Sequence, residues 1–324
     1  LNSSPAKSQT PGSGVSFLEV TEVQAGQRVD NFLLARLKGV PKSRIYRIIR
    51  KGEVRVNKKR VKPDYKICTG DLVRIPPVRI AEKQDMLPPA VALQTVLNEA
   101  ILLDDPDLMV LNKPSGLPVH GGTGVKTALI ESLRYMYPEL EGLELVHRID
   151  KGTSGCLLLS KNNRSLQQLT DQFRHGGVTK TYYALVNGHW PSHIREVNAA
   201  LEKHQPRGGE RFVSVSEQGK PAVTRFDVLK ECAGATLIQA MPVTGRTHQI
   251  RVHTSLAGCP IIGDEKYASD EVLAKYATLG IKRLCLHAAQ LSFTHPGNGR
   301  KVTLSAPYDR QFEDAISILA KAGD

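Results

Sequence analysis

The strongest constraint on the fold lies between residues 98 and 256, where strand-like runs follow one another without a regular helix between them. "AILLDDPDLMVLNKP" holds two short apolar runs split by Asp-Asp-Pro-Asp, the pattern of a hairpin. "CLLLSK" is a continuous apolar run, as expected of a strand buried on both faces. "KTYYALVNG" ends in a turn signal, and "AVTRFDVLKEC" with "ATLIQAMPV" reads as an antiparallel pair. Helical periods interrupt these runs irregularly. "KTALIESLRYMYPEL" places Leu129, Leu133 and Met136 in step, "NRSLQQLTDQFRHGG" is amphipathic and stops at Gly176-Gly177, and "TGRTHQIRVHTSLAG" reads as a helix from a threonine cap. A strict β-α alternation would give a doubly wound parallel sheet. Its absence predicts an α+β fold over residues 98–320, a mixed and mainly antiparallel sheet with flanking helices. No internal repeat of about 20–50 residues is visible.

Upstream the chain changes character. Residues 1–16 are small, polar and rich in Pro and Gly, and are expected to be a disordered tail. In "QRVDNFLLARLKG", Val29, Phe32, Leu33 and Leu37 fall at helical spacing, with Gly39 as the stop. "PKSRIYRIIRKG" restarts at Pro41 and lines Ile45, Ile48 and Ile49 on one face, ending at Gly52. "EVRVN" and "KRV" alternate like strands around a turn at Asn57-Lys58, and "GDLVRIPP" adds another strand. A small α/β module over 17–80 is predicted, followed by a linker over 81–97 that shows no clear period and contains Pro88-Pro89.

That module holds most of the charge imbalance. Residues 17–80 carry 16 of the chain's 44 Lys and Arg but 6 of its 32 Asp and Glu, so they account for most of the net +12. Opposite its isoleucines the second helix shows Lys42, Arg44, Arg47, Arg50 and Lys51, and the turn adds Lys58, Lys59 and Arg60. A helix anchored on one side and cationic on the other can lie along a phosphate backbone. These eight residues are the candidate RNA contacts; a solvated basic face and an acidic membrane surface are the competing readings.

Other classes recede. No apolar run approaches the roughly 18 residues a membrane helix needs, and no charged-then-apolar leader is seen. The five cysteines, Cys68, Cys156, Cys232, Cys259 and Cys285, are scattered, with no Cys-x-x-Cys pair. Neither disulfides nor zinc is expected, and a reducing cytoplasm suits them. "GGTGVKT" lacks the Gly-Lys pair of a phosphate loop, because Val125 intervenes. His248 and His253 stand five apart, which does not put them together on a helix face. Ser154 lacks the G-x-S-x-G elbow, and with Thr153 is expected to bond locally in a turn. Asp104, Asp105 and Asp107 surround Pro106 and read as a solvated turn. Asp150 remains, a lone carboxylate in "HRIDKGTSG" between an arginine and a lysine; a turn residue or helix cap is its ordinary reading.

The stretch "HRIDKGTSGCLLLSK" resembles the signature of the RluA-type pseudouridine synthase family, with Ile149 where leucine is usual. "KTYYALV", "GRTHQIRVH" and "LNKPSGLPVHGG" resemble three further elements of that family, in order, and residues 26–80 resemble an S4 RNA-binding module. The likeness spans roughly residues 18–310. It implies a pseudouridine synthase fold and an isomerase that detaches uracil from ribose C1′ and rejoins it through C5. No cofactor and no metal is implied, and the expected partner is 23S, large-subunit, ribosomal RNA, met by a monomer in the cytoplasm. By the same resemblance Asp150 acts on the ribose, as nucleophile at C1′ or base at C2′. Arg246 is expected to pair with Asp150, and Tyr182 to border the uracil. Arg148 is expected to contact RNA beside the extruded base, Ile250 to pack beneath the base, and Lys180 to belong to the substrate site. Tyr183 is expected to be a core strand residue, since neighbours on a strand face opposite sides.

Overall fold

A computed structural model describes residues 14–21, 24–37, 40–78, 88–121, 128–204 and 212–321. It divides into two compact units, Leu1–Leu87 and Pro88–Asp324.

In the first unit, strand β1 (Ser16–Glu19) leads to helices α1 (Val29–Arg36) and α2 (Lys42–Arg50), then to β2 (Arg55–Val56), β3 (Lys59–Arg60) and β4 (Leu72–Ile75). The strands form an antiparallel sheet in the order β1-β4-β2-β3. Ile45, Ile48 and Ile49 of α2 are buried with Val29, Phe32 and Leu33 of α1, as their i, i+3, i+4 spacing predicts. The turn at Asn57-Lys58 has both residues at positive φ, the requirement of a two-residue hairpin whose twist matches its strands. Ser16, which the sequence reading put in the tail, lies in β1; residues 1–13 and Gly39 lie outside the described residues.

The second unit runs α3 (Val91–Glu99), β5 (Ile101–Asp104), β6 (Leu108–Lys113), α4 (Leu129–Met136), β7 (Glu144–Leu145), β8 (Ser154–Ser160) and α5 (Asn163–Arg174). It continues through β9 (Thr179–Asn187), β10 (Glu196–Asn198), β11 (Leu201–His204), β12 (Phe212–Val215), β13 (Val223–Cys232) and β14 (Ala235–Pro242). It ends with α6 (Gln249–Leu256), α7 (Asp270–Thr278), β15 (Leu286–Thr294), β16 (Lys301–Ser305) and α8 (Arg310–Lys321). The main sheet runs β10-β13-β14-β9-β15-β8-β6-β5, with β16 on β15 and β7 on β8. Every pairing in it is antiparallel except β8 with β15. The fold is therefore the mixed, mainly antiparallel α+β arrangement expected.

Two local expectations fail. The second half of the stretch read as a linker is helix α3. Leu93 and Leu97 stand four apart and turn one flank onto the core, while Pro88 and Pro89 sit outside the helix rather than in it. Helix α6 does not start from a threonine cap: its cap residue is His248 in the left-handed region, with no side-chain cap hydrogen bond.

Candidate active site

Asp150 lies within the loop between β7 and β8, and its surroundings fix that loop from three directions. Residues 115–117 press on it: Gly116 N donates to Lys151 O at 2.9 Å and Ser115 Oγ to Gly152 O at 2.7 Å. Beneath it, wholly buried Lys113 donates from Nζ to Pro114 O, Leu117 O and Lys151 O at 2.8, 2.9 and 3.0 Å. Burial pushes the Lys113 ammonium down to about 7, helped by the Arg283 charge and opposed by Asp150 and Asp309. The third constraint is β8, whose residues are all buried. Its Gly155 has φ +103, and a Cβ there would strike Ala288 O of β15, so only glycine lets the parallel pair close.

Ser154 is not the turn residue expected. As the first residue of β8 it is buried, with Oγ 2.9 Å from His287 Nδ1 and accepting from Arg283 Nη2 at 2.9 Å. Its place opposite His287 in the parallel register draws it across strands rather than into a local turn. His147 is likewise structural. Its Nε2 accepts from Leu158 N at 3.1 Å, its ring stacks on Phe173, and burial pushes its pKa down to about 3, with Lys180 adding to the shift.

The motif "GRTHQIR" supplies the facing wall, residue by residue. Gln249 Oε1 accepts from Thr244 Oγ1 and Arg246 N, while its Nε2 donates to Val223 O and Thr224 Oγ1. That staple fixes where α6 begins and hence which side chains turn inward. Arg251 does so: its Nη1 donates to Asp150 Oδ2 at 3.0 Å. Its remaining fork is bidentate to Asp264, Nε to Oδ2 at 2.8 Å and Nη2 to Oδ1 at 2.6 Å, and its guanidinium lies over the Tyr267 ring at 5.1 Å. Burial acts to lower the Arg251 pKa, but the Asp264 hydrogen bond and charge, with Asp150, leave it raised. The Asp150 carboxylate keeps 28% of its side-chain surface exposed, so it is paired yet accessible.

Arg246 is therefore not the partner of Asp150, contrary to the sequence reading. It precedes the helix, is exposed, and donates from Nε to Pro221 O at 3.1 Å. The chain reverses hand at His248, and only beyond that point does an arginine face the acid. Sequence reasoning passed over Arg251, His248, Asp264 and Lys113 as site residues. The signal for the first two lay in the quoted motif, and for Lys113 in a lysine closing a strand whose first four residues are apolar.

The other candidates are placed as follows. Tyr182 in β9 is partly buried where three apolar clusters meet. Burial, and then the charge of Asp150, push its phenol well above its ordinary range. Ile250 is buried in the core at 6% exposure. Lys180 is partly buried, its pKa lowered by burial, and its Nζ reaches Thr244 O at 3.5 Å. Arg148 is exposed on the Asp150 loop. Tyr183 faces the other side of the sheet and is only partly buried, 6.0 Å from Tyr308 between ring centroids.

In the first unit all eight candidate RNA contacts, Lys42, Arg44, Arg47, Arg50, Lys51, Lys58, Lys59 and Arg60, are exposed. Among the described residues one group has the spacing to hold a metal ion, Asp105, Asp107 and His295. Its atoms are engaged with one another and with the hairpin. His295 Nε2 lies 2.8 Å from Asp105 Oδ2, Asp105 Oδ1 accepts from Asp107 N and Leu108 N, and Asp107 Oδ1 accepts from Asn162 and Ser165. The acidic turn is thus a hydrogen-bonded corner rather than a solvated one.

The sheet is mixed, and Asp150 is an accessible carboxylate held by Arg251. The chain belongs to the RNA pseudouridylate synthase family, whose model matches residues 107–256, and residues 27–73 match the S4 domain. It is 51% identical to "Ribosomal large subunit pseudouridine synthase C" of Escherichia coli K12 over 98% of this chain and 99% of that one. The protein of the same name in Haemophilus influenzae is 52% identical over 96% and 97%. Among solved structures, "Human RNA Pseudouridylate Synthase Domain Containing 4" is 29% identical, with TM-score 0.58, covering 70% of this chain and 95% of that one.

Proposed function

We propose that the chain converts uridines of large-subunit ribosomal RNA to pseudouridine, with Asp150 as the single acid. The observation that carries this reading is the Asp150–Arg251–Asp264 ion-pair chain, which orients one carboxylate in an accessible position. Glycosidases use two carboxylates because a water must be activated and a leaving group protonated. In uridine isomerisation the leaving base itself returns: the C1′–N1 bond breaks, a C1′–C5 bond forms, C5 loses a proton and N1 gains one. No external nucleophile or redox partner enters the balance, so one acid suffices and no cofactor is required.

Asp150 acts at the sugar, as nucleophile at C1′ or base at C2′. Arg251 orients it, because the planar fork of the guanidinium fixes the direction of the carboxylate it donates to. Tyr182, held as a phenol, offers a flat wall for the uracil, above the apolar floor to which Ile250 contributes. The base must leave the RNA stack to reach this site, which costs a few kcal/mol. Arg148 at the mouth and Lys180 at the wall offset part of that cost through RNA contacts, and the S4 unit's eight exposed cations supply backbone affinity.

The test is D150N, purified free of wild-type enzyme: RNA binding persists and pseudouridine is lost. Turnover retained in D150N would reject the assignment. A pseudouridine map of total RNA unchanged by deleting the gene would instead favour a non-catalytic RNA-binding factor. The same reading places the enzyme in the cytoplasm as a monomer, its five cysteines being free thiols. Sedimentation of the purified chain tests the monomer, and cell fractionation tests the compartment.

A further inference from the structure

The two oxygens of Asp150 have unlike surroundings. Oδ2 is tied to Arg251, whereas Oδ1 faces His248 Nε2 at 3.8 Å, beyond hydrogen-bond reach. The other imidazole nitrogen, Nδ1, lies 2.7 Å from Tyr267 OH, and that oxygen already accepts from Val213 N at 3.1 Å. Both groups are satisfied when the phenol donates its proton to Nδ1, which leaves the imidazole hydrogen on Nε2. Among the described residues no acceptor lies within hydrogen-bond distance of that N–H. The charged groups around the ring are Asp150, Arg251, Lys266 and Asp264. Burial dominates them and holds the His248 pKa below its ordinary value, so the ring is neutral at physiological pH.

The backbone is shaped for this. Among the described non-glycine residues, positive φ occurs at Asn57, Lys58 and His248. The first two form a hairpin turn, for which that conformation is required. His248, at φ 54 and ψ 19, makes no hairpin; its left-handed conformation directs the ring between Asp150 and Tyr267 just before α6 starts. Backbone held in a sparsely populated region and fixed by surrounding contacts is a mark of functional positions.

We propose that His248 is a specificity-determining residue whose Nε2–H donates to the 2′-hydroxyl of the target ribose, so that the site distinguishes RNA from DNA at the reacting nucleotide itself. The proposal rests on the reading of Asp150 as the group that acts on the sugar. The 2′-oxygen is one bond from C2′ and two from C1′. An oxygen poised at either carbon therefore stands beside the 2′-hydroxyl, and a free donor flanking Oδ1 is placed to receive it. The 2′-hydroxyl is the group by which proteins separate the two nucleic acids at a single nucleotide.

The experiment uses the full chain and two synthetic fragments of large-subunit ribosomal RNA around a candidate uridine, identical except for 2′-deoxyuridine at that position. The readout is the ratio of kcat/KM on the two, which does not depend on the fraction of enzyme folded. Loss of the hydroxyl carries a chemical penalty common to all variants. The wild-type ratio should exceed that of H248F by about three- to tenfold, the worth of one neutral hydrogen bond. H248Q, whose side-chain amide can still donate, should recover part of the excess. An H248F ratio equal to the wild type overturns the role of His248. Absence of pseudouridine from the wild type on the all-ribose RNA overturns the parent reading, which separates the two failures.

Discussion

At the scale of single residues the site is a chain of charges with one open end. Arg251 satisfies two carboxylates at once, and its planar fork is what permits both. Lysine at that position keeps the charge but not the fork. R251K should therefore lower kcat by at least about a hundredfold while changing RNA affinity little, as loss of orientation at a reacting centre does; single-turnover pseudouridine assays measure it. Lys113 gives a pH signature. Its folded pKa of about 7 lies below the ordinary 10.5, so between those values the unfolded chain binds more protons and stability must rise with pH. In denaturant titrations from pH 7 to 10 the wild type should gain stability relative to K113M, whose curve lacks that contribution; parallel curves would contradict the burial argument.

At the scale of elements, legibility from sequence depended on phase. In α2 the isoleucines fix the buried face and the cations the open one, and the structure agrees. The lone acid of the Asp150 loop was legible as a site residue through the resemblance that "HRIDKGTSG" carries; by itself it reads as a turn residue or helix cap. Arg251 could not be chosen over Arg246, because the choice depends on where α6 begins, and that is set by the Gln249 staple and the inverted backbone at His248. Both are tertiary facts with no local periodicity. Helix α3 was hidden by prolines that lie before it. For Gly155 the element-level prediction is firm: G155A meets both a left-handed φ and the Ala288 carbonyl. It should cost at least about 1–3 kcal/mol, read as a lowered midpoint in thermal or denaturant melts. A melt unchanged by G155A would mean that β8 and β15 can separate without penalty.

At the scale of the whole molecule the sequence shows an uneven division of charge between two units, with the cations of the first exposed. Binding by those cations releases counterions from RNA. Replacing Lys42, Arg44, Arg47, Arg50 and Lys51 with Gln should flatten the dependence of log affinity on log salt. On single-stranded RNA the slope should fall by roughly 0.7 for each phosphate that is no longer neutralised. Filter binding over a salt series measures it; an unaltered slope would assign those side chains to solvent. The α+β class was legible from the sheet-rich pattern of residues 98–256. The single parallel neighbour of β8 was not, because it comes from residues far downstream.

That long-range pairing has a consequence for timing. The strand that begins four residues after Asp150 is flanked by β15, which is made more than 130 residues later. A ribosome that has polymerised as far as α7 has already produced the acid and its arginine, but not the strand on which both β8 and β9 lean. The nascent polypeptide is therefore expected to stay catalytically blank until β15 emerges, and a chain terminated before residue 286 should form no pseudouridine when assayed on large-subunit ribosomal RNA.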